Sequence, residues 1–443
     1  MTSLPAILLN NTPVQLGRSR HNRNTFEPLE VFSHALDGRS SLVRRSSLVT
    51  PQSQLRPHCA TYVLPRLFSE CLKGRQEAAR GIYSGRRALY FPETHALDLR
   101  QLGWASEEAF QECVVEVKGA GILLNDSEHV TQKDVQAFMQ KHRLQEREPL
   151  EDELVFSFND YRGYETPEGA QHEGKAVTSM EASEYFLSTR RAAPVKVAPT
   201  LCITTYPATV QTLAREFNHG DLVECKLAQE KRLMPSFVRG SYFEHNPGRN
   251  PELVRKIHPD SQQLKRLVPV MLEDMRAYFE LMALTTEQKK GRAYQWVNVG
   301  YLDSVFDDPR QMLGKPYGWY LLKDIVVAPS GLYFVDLECV TLDRTAKSRK
   351  ELRRQHGLYL TALFKDFFRL LTHYELAVAE EEEPSRMARL EETVREKLID
   401  RLNASPHFQV DLGERHLSLR VKYGQVKAEQ YRLDLQHLPR IVQ

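Results

Sequence analysis

Hydrophobic and polar positions follow two different periods along this chain, and the changes of period mark its elements. Residues 10–56 are polar, rich in Arg, Ser and Asn, and weakly periodic, which predicts an extended or partly ordered arm. Over 57–80, Leu64, Leu67, Phe68 and Leu72 recur at helical spacing, so a helix is expected. Glycines then separate two runs, Gly81-Ile82-Tyr83-Ser84-Gly85-Arg86-Arg87 and Ala88-Leu89-Tyr90-Phe91, the mark of a β-turn-β unit. Residues 110–118 alternate and carry β-branched valines, which makes them a strand with Lys118 at its end.

Residues 122–172 are charged and hydrophilic and read as an insertion, with a helical piece around Val135–His142. A helix is expected over 175–193, a strand within Pro194–Tyr206, and another starting near Leu222–Leu227. Helices follow over 251–287. Ile325-Val326-Val327, the turn Ala328-Pro329-Ser330-Gly331 and Leu332-Tyr333-Phe334-Val335-Asp336 form the clearest hairpin of the chain. Residues 347–374 predict an amphipathic helix with Leu360, Leu363, Phe364, Phe367, Phe368 and Leu371 on one side. The acidic run Glu380–Glu383 precedes a charged helix over 385–402, and alternation from Phe408 to Leu435 predicts a small β-meander.

Composition narrows the class. The 443 residues are 41% apolar and 27% charged, the balance of a water-soluble globular protein. A net charge of +2 gives no global attraction to nucleic acid or an anionic membrane, so neither is expected as a partner. Met1–Leu9 is apolar but lacks a basic opening and a long apolar run, and no stretch reaches the length of a bilayer span; a cytoplasmic protein is expected. Six cysteines are scattered without a CxxC pair, which favours buried or idle thiols over a zinc site.

Candidate chemistry appears in a definite order. Lys118 ends a strand and precedes Gly119-Ala120-Gly121, so small residues leave its ammonium clear to meet a phosphate; a plain surface lysine is the alternative. Glu184 lies inside the next helix, where a carboxylate can orient a strand lysine. Arg232 and Arg239 flank Leu-Met-Pro-Ser-Phe-Val; their planar forks suit phosphate oxygens, and a structural Arg–carboxylate pair is the equal alternative. Asp336 closes an apolar strand after a tight turn and Asp324 precedes the hairpin, two oxygen donors suited to magnesium.

In that order the residues resemble the selenoprotein O family of pseudokinases. Val117-Lys118-Gly119-Ala120-Gly121 is similar to the family's Leu-Lys-Gly-Ala-Gly, and Gly174-Lys175-Ala176-Val177 through Glu184-Tyr185-Phe186-Leu187 to its Gly-Arg-Ala-Val…Arg-Glu-Phe-Leu helix. Arg232-Leu-Met-Pro-Ser-Phe-Val-Arg239-Gly-Ser-Tyr-Phe-Glu244 resembles Arg-Val-Ala-x-Ser-Phe-Leu-Arg-Phe-Gly-Ser-Phe-Glu, and residues 84–93 resemble the Gly-Asp-Gly-Arg-Ala strand. The likeness runs over roughly 80–345 in short gapped matches.

The resemblance implies an α+β, two-lobed protein-kinase-like fold: an arm at 1–56, a β-rich N-lobe at 57–228 with the insertion near 122–172, a helical C-lobe at 229–403 and a C-terminal β-meander at 404–443. It implies that ATP binds in a flipped orientation with Mg (or Mn), and that AMP passes to a hydroxyl of a protein or peptide. Lys118 and Glu184 would then form the lysine–glutamate pair, with Gly119 and Gly121 beside the nucleotide. Arg232 and Arg239 would hold the outer phosphates, and Asp324 and Asp336 the metal. Several positions depart from the family: its base-like Asp is Lys323, its metal Asn is Asp324, and its Asp-Tyr-Gly motif is Asp336-Leu337-Glu338, without the glycine. A second alignment puts Trp296-Val-Asn-Val-Gly300-Tyr-Leu-Asp303 on that loop, with Asp307 and Asp308 near it. Alternatives of another class are a kinase-fold enzyme that phosphorylates a small molecule or peptide, and a non-catalytic pseudokinase that binds a partner.

Overall fold

The computed structural model of the chain describes residues 14–16, 24–34, 42–45, 61–63, 76–83, 88–92, 114–119, 158–159, 166–167, 171–188, 195–205, 226–236, 238–243, 250–283, 285–288, 292–298, 322–337, 340–343, 349–379, 384–413, 416–423 and 426–434. It mixes α and β elements and divides into two compact units. The first joins Met1–Leu187 to Ala198–Phe237, and the second joins Ser188–Val197 to Val238–Gln443.

The first unit contains strands β1 (Val14–Leu16), β2 (Asn24–His34), β3 (Leu42–Arg45), β4 (Thr61–Val63), β5 (Gln76–Tyr83), β6 (Ala88–Pro92), β7 (Val114–Lys118), β8 (Phe158–Asn159), β9 (Thr166–Pro167), β10 (Gln171–His172), β11 (Thr200–Thr205) and β12 (Leu227–Met234). They form an antiparallel sheet in the order β1-β2-β5-β6-β7-β12-β11-β3, with β4 on β2, β10 on β12, and β8–β9 as a separate pair. The β-turn-β expectation is met where Ile82 faces Tyr90 and Tyr83 faces Leu89. A single helix among the described residues, α1 (Glu173–Ser188), packs on the sheet. Its Ala176, Val177 and Met180 meet Ile203 and Ala228, the i, i+1, i+4 stripe that an α-helix turns toward one side.

Two expectations fail here. The helix over 57–80 is replaced by β4 and β5, with β5 paired to β2 along Glu27–His34. Its C-terminal part, Ala78-Ala79-Arg80-Gly81-Ile82-Tyr83, runs into the turn glycines, and pairing with a long neighbour outweighs local helical spacing. The polar stretch 10–56 supplies β1, β2 and β3, and Leu42–Arg45 pairs with Thr205–Cys202. Backbone pairing of this kind leaves little trace in the side-chain pattern. The boundary between units also falls after β12 rather than at 228/229, because β12 is a central strand of the first sheet.

The second unit contains α2 (Asn250–Ile257), α3 (Ser261–Ala283), β13 (Thr285–Gln288), β14 (Arg292–Asn298), the hairpin β15 (Ile325–Ala328) and β16 (Gly331–Phe334), β17 (Val340–Asp343), α4 (Arg349–Ala379), α5 (Pro384–Asn403) and the meander β18 (Phe408–Leu412), β19 (His416–Tyr423) and β20 (Val426–Asp434). The helix expected to 287 stops at Ala283, and Thr285–Gln288 pairs with β14 instead. The Asp260 carboxylate caps α3 by accepting from Gln262 N at 2.8 Å and Gln263 N at 3.2 Å. Leu264, Leu267, Val268, Met271, Met275, Tyr278 and Phe279 line its buried side. The predicted stripe of α4 is buried from Leu360 to Leu371, and Tyr278 stacks on Phe334 at 3.7 Å. Asn403 exchanges hydrogen bonds with the Val410 backbone at 2.9 and 2.6 Å, tying the end of α5 to the meander.

Candidate functional site

The candidate residues fall into two groups, one in each unit. In the first unit the period-2 register of the sheet decides which residues share a face. Glu116 lies opposite Arg232 and Tyr90, and Lys118 opposite Glu230 and Ala88. A bulge between Thr200 and Cys202 puts Thr200 beside Arg232 and Ile203 beside Glu230. Ile203 and Ala228 meet α1, so α1 covers this face.

The face is polar and dry. Glu116, Thr200 and Glu230 have no exposed surface, and Arg232 has 1%. Arg232 Nε donates to Glu116 Oε2 at 2.8 Å, its Nη2 donates to the same oxygen, and Tyr90 donates to Glu116 Oε1 at 3.1 Å. Glu230 accepts from Thr200 Oγ1 at 2.6 Å and from Gln171 Nε2 at 3.2 Å. Ser183 Oγ accepts from Thr200 N at 3.3 Å, and Ser179 stands 3.5 Å from Thr200 Oγ1, so α1 is pinned to the network. On the opposite face Lys231, also fully buried, donates to Thr204 Oγ1 at 2.7 Å.

Lys118 is partly buried at the end of β7, and Gly119 follows with φ +84, a left-handed turn that glycine adopts freely. Gln229 Nε2 holds the Gly119 carbonyl at 3.3 Å. Glu184, partly buried, follows Ser183 on α1. Gly121 and the helical piece around Val135–His142 lie outside the described residues. Arg232 does not fit its expected role. A guanidinium with 1% exposure and a carboxylate against it has no open side for a diffusing phosphate, and the structural-pair alternative is the one realised.

In the second unit the hairpin organises the site. Ile325 faces Phe334, and Val335 N donates to the Asp324 carbonyl at 2.8 Å, so Asp324 and Asp336 lie at the same open end. Asp324 is 3% exposed. Asp336 has φ +58, the sole non-glycine residue with positive φ among those described. The left-handed backbone is uncommon for any residue with a Cβ, and such positions cluster at functional sites. Arg239 Nη1 donates to Asp336 Oδ2 at 2.8 Å, with side-chain exposures of 11% and 19%. The backbone fixes Arg239: it bridges Val326, and Val327 N donates to Val238 O at 2.8 Å. A Cβ on the neighbouring Gly240 would stand 3.0 Å from the Leu322 carbonyl oxygen, a close approach that favours glycine there.

The turn of the hairpin is clamped separately. Asp274 on α3 accepts from Leu332 N at 2.8 Å and from Lys196 Nζ at 2.9 Å, and Lys196 also reaches the Ser330 carbonyl at 2.8 Å. Burial pushes the Asp274 carboxyl up to about 6 against the pull of Lys196. Elsewhere in the unit burial pushes His258 down to about 4 and His373, beside Arg369, down to about 3. His258 Nε2 stands 3.2 Å from the Tyr374 hydroxyl, whose own ionisation burial drives well upward. On α4, Lys365, Asp366 and Arg369 are buried too, and burial lowers the Lys365 ammonium.

Reading the sequence missed Glu116, Glu230, Lys231, Lys196 and Asp274. One signal was present: Gln229-Glu230-Lys231-Arg232 are four consecutive polar residues inside a strand, a pattern that needs internal partners wherever both faces are covered. Asp274 and Lys196 carry no such signal, since each is an ordinary charge in an amphipathic stretch. Trp296–Asn298 of the second alignment falls in β14, while Asp303, Asp307 and Asp308 lie outside the described residues.

Among the described residues no group of three or more His, Cys, Asp or Glu side chains is placed to hold a metal, and no helix is long and apolar enough to cross a membrane. Cys202 is a buried thiol. Two carboxylates stand at the hairpin mouth, Asp324 at 3% exposure and Asp336 paired with Arg239; oxygen donors of this kind are the type that magnesium or manganese takes. A scan against protein-family models finds none that matches this chain, and a search of curated proteins finds no matching relative.

Proposed function

We propose that the chain is a two-lobed, protein-kinase-like nucleotidyltransferase that uses ATP and magnesium or manganese and passes AMP to a hydroxyl of a protein or peptide. The observation that carries this reading is the hairpin mouth, where a left-handed Asp336 ends an apolar strand across from Asp324 and beside Arg239. A carboxylate in that backbone state, directly after a tight hairpin, has the placement that kinase-type enzymes give their metal ligand. The order of residues supports the same reading, with a strand-end lysine before a left-handed glycine and then a helix bearing Glu184.

In this reading Lys118 contacts phosphate and Glu184 orients it. Asp324 and Asp336 would hold the metal, which when bound screens the charge of the polyphosphate. Arg239 takes the outer phosphates. Arg232 supports β7 and β12 through Glu116 and leaves the ligand alone. The acceptor hydroxyl gives up its proton to solvent water as its oxygen bonds to the α-phosphorus and the bond from that phosphorus to the α–β bridging oxygen breaks. Pyrophosphate leaves, and Arg239 stabilises its developing charge.

The sealing of Arg232 favours a second reading. The flipped nucleotide has two cations at its outer end in the family pattern and one here, so γ-phosphoryl transfer to a small molecule or peptide stands as the alternative. Incubation with ATP labelled at the α- or the γ-phosphate decides. Retention of α-label on an acceptor, or on the chain itself, supports adenylyl transfer. Retention of γ-label alone supports the kinase reading, and transfer of neither across a broad acceptor screen favours a non-catalytic binding module.

A further inference from the structure

The ion pair between Arg239 and Asp336 gives a candidate phosphate cation and a candidate metal ligand to each other. We infer that Arg239 occupies the metal-binding carboxylate until a nucleotide's phosphates draw the arginine away, so that metal and nucleotide bind together and metal alone binds weakly. The inference rests on the proposed role of Asp336 and adds the order in which its partners exchange.

Three features support it. The pair is short and direct, with Nη1 donating to Oδ2 at 2.8 Å. Both partners keep some contact with solvent, 11% for Arg239 and 19% for Asp336, so a ligand can approach the pair from the water side. The Arg239 backbone is held by its bridge to Val326, and Asp336 follows a strand that the bond from Val335 N to the Asp324 carbonyl locks to its neighbour. Exchange therefore proceeds by side-chain rotation on a fixed backbone. A guanidinium prefers the several oxygens of a polyphosphate to one carboxylate oxygen, and a divalent cation prefers the freed carboxylate to water alone. Binding of one ligand removes the obstacle to the other, and the coupling is reciprocal.

The test is titration of the full chain with Mn2+ alone, following free Mn2+ by electron paramagnetic resonance, in wild type, Arg239→Gln, Arg239→Lys and Asp336→Asn. The inference predicts that Arg239→Gln tightens Mn2+ binding about fivefold, equivalent to ~1 kcal/mol. Arg239→Lys, which keeps a charge but loses the fork, should fall between it and wild type, and it serves if the glutamine variant does not fold. Asp336→Asn should abolish the site. ATP should strengthen Mn2+ retention in wild type by a larger factor than in Arg239→Gln. Loss of binding in Asp336→Asn with unchanged or weaker binding in both arginine variants overturns the exchange and leaves the metal role of Asp336 standing. Unchanged binding in Asp336→Asn removes the metal role, and the exchange with it.

Discussion

Two arginines seven residues apart have opposite environments. Arg232 lies inside the sheet of the first unit with 1% of its side chain exposed, against a carboxylate with none. Arg239 lies at the mouth of the hairpin in the second unit, and its partner Asp336 is 19% exposed. Similar charges in similar pairs thus do different work. Where water is excluded, the pair is an obligate part of the fold, because either charge left alone inside would be strongly penalised. Where both members keep some contact with water, the pair should cost less to open than the sealed one.

The largest effect expected from this contrast is on stability. Replacing Glu116 with Gln leaves the Arg232 charge buried without its counter-ion and should cost about 3–5 kcal/mol. Asp336→Asn should cost less, about 1–3 kcal/mol, because Arg239 keeps part of its contact with water. Chemical denaturation of the two variants measures both, and equal costs would erase the distinction.

Gly331 probes the hairpin itself. Its φ of +124 disfavours any side chain, and an added Cβ would fall 2.1 Å from Asp274 Oδ2 and 2.6 Å from Lys196 Nζ. Gly331→Ala should therefore cost about 2–3 kcal/mol and weaken nucleotide binding by displacing the strand that leads to Asp336. Gly174→Ala is the matched control in the first unit, because nothing lies within 4 Å of its added Cβ. Glycine-to-alanine in a helix should stabilise by about 0.5–1 kcal/mol.

A smaller effect appears in the pH dependence of the second unit. The folded state raises Asp274 from 3.8 to about 6, so this group binds protons more tightly when folded. Its contribution is fully present below pH 3.8 and is lost as pH rises through 6, a change of about 3 kcal/mol. His258 has the opposite sign. Its folded value of about 4 lies below 6.5, so its contribution is present above pH 6.5 and lost as pH falls through 4, again about 3 kcal/mol. His373 adds to the loss in acid. Between pH 6 and 4 the aspartate offsets part of what the histidines lose. Asp274→Asn should steepen acid unfolding in that window, and His258→Gln should flatten it. Denaturation midpoints measured across the window test both signs.

The parts of this architecture that were legible in the sequence are those with a strong local period. The hairpin at 325–334 is a buried apolar run broken by a Pro-Ser-Gly turn, Leu360 to Leu371 repeats at helical spacing and the C-terminal meander alternates, so the local pattern names each element directly. The strand at Gln76–Tyr83 was misread because its neighbour β2 lies more than forty positions away in the chain, and no local pattern encodes that pairing. Among the candidate site residues, Asp336 stood out through the hairpin that precedes it. Arg232 was misassigned because its fate depends on Glu116, a lone acid between valines that only the register of β7 and β12 brings opposite. The Asp274 clamp was invisible for the same reason, since Lys196, Asp274 and Leu332 come together from three separate segments.

The central claim is that the hairpin mouth is a nucleotide–metal site, and calorimetric titration of ATP into the full chain with excess Mg2+ tests it most directly. The account predicts saturable binding that Asp336→Asn and Asp324→Asn each weaken at least tenfold in variants that remain folded. Nucleotide binding that both substitutions leave unchanged, or its absence from the folded wild-type chain, would contradict it.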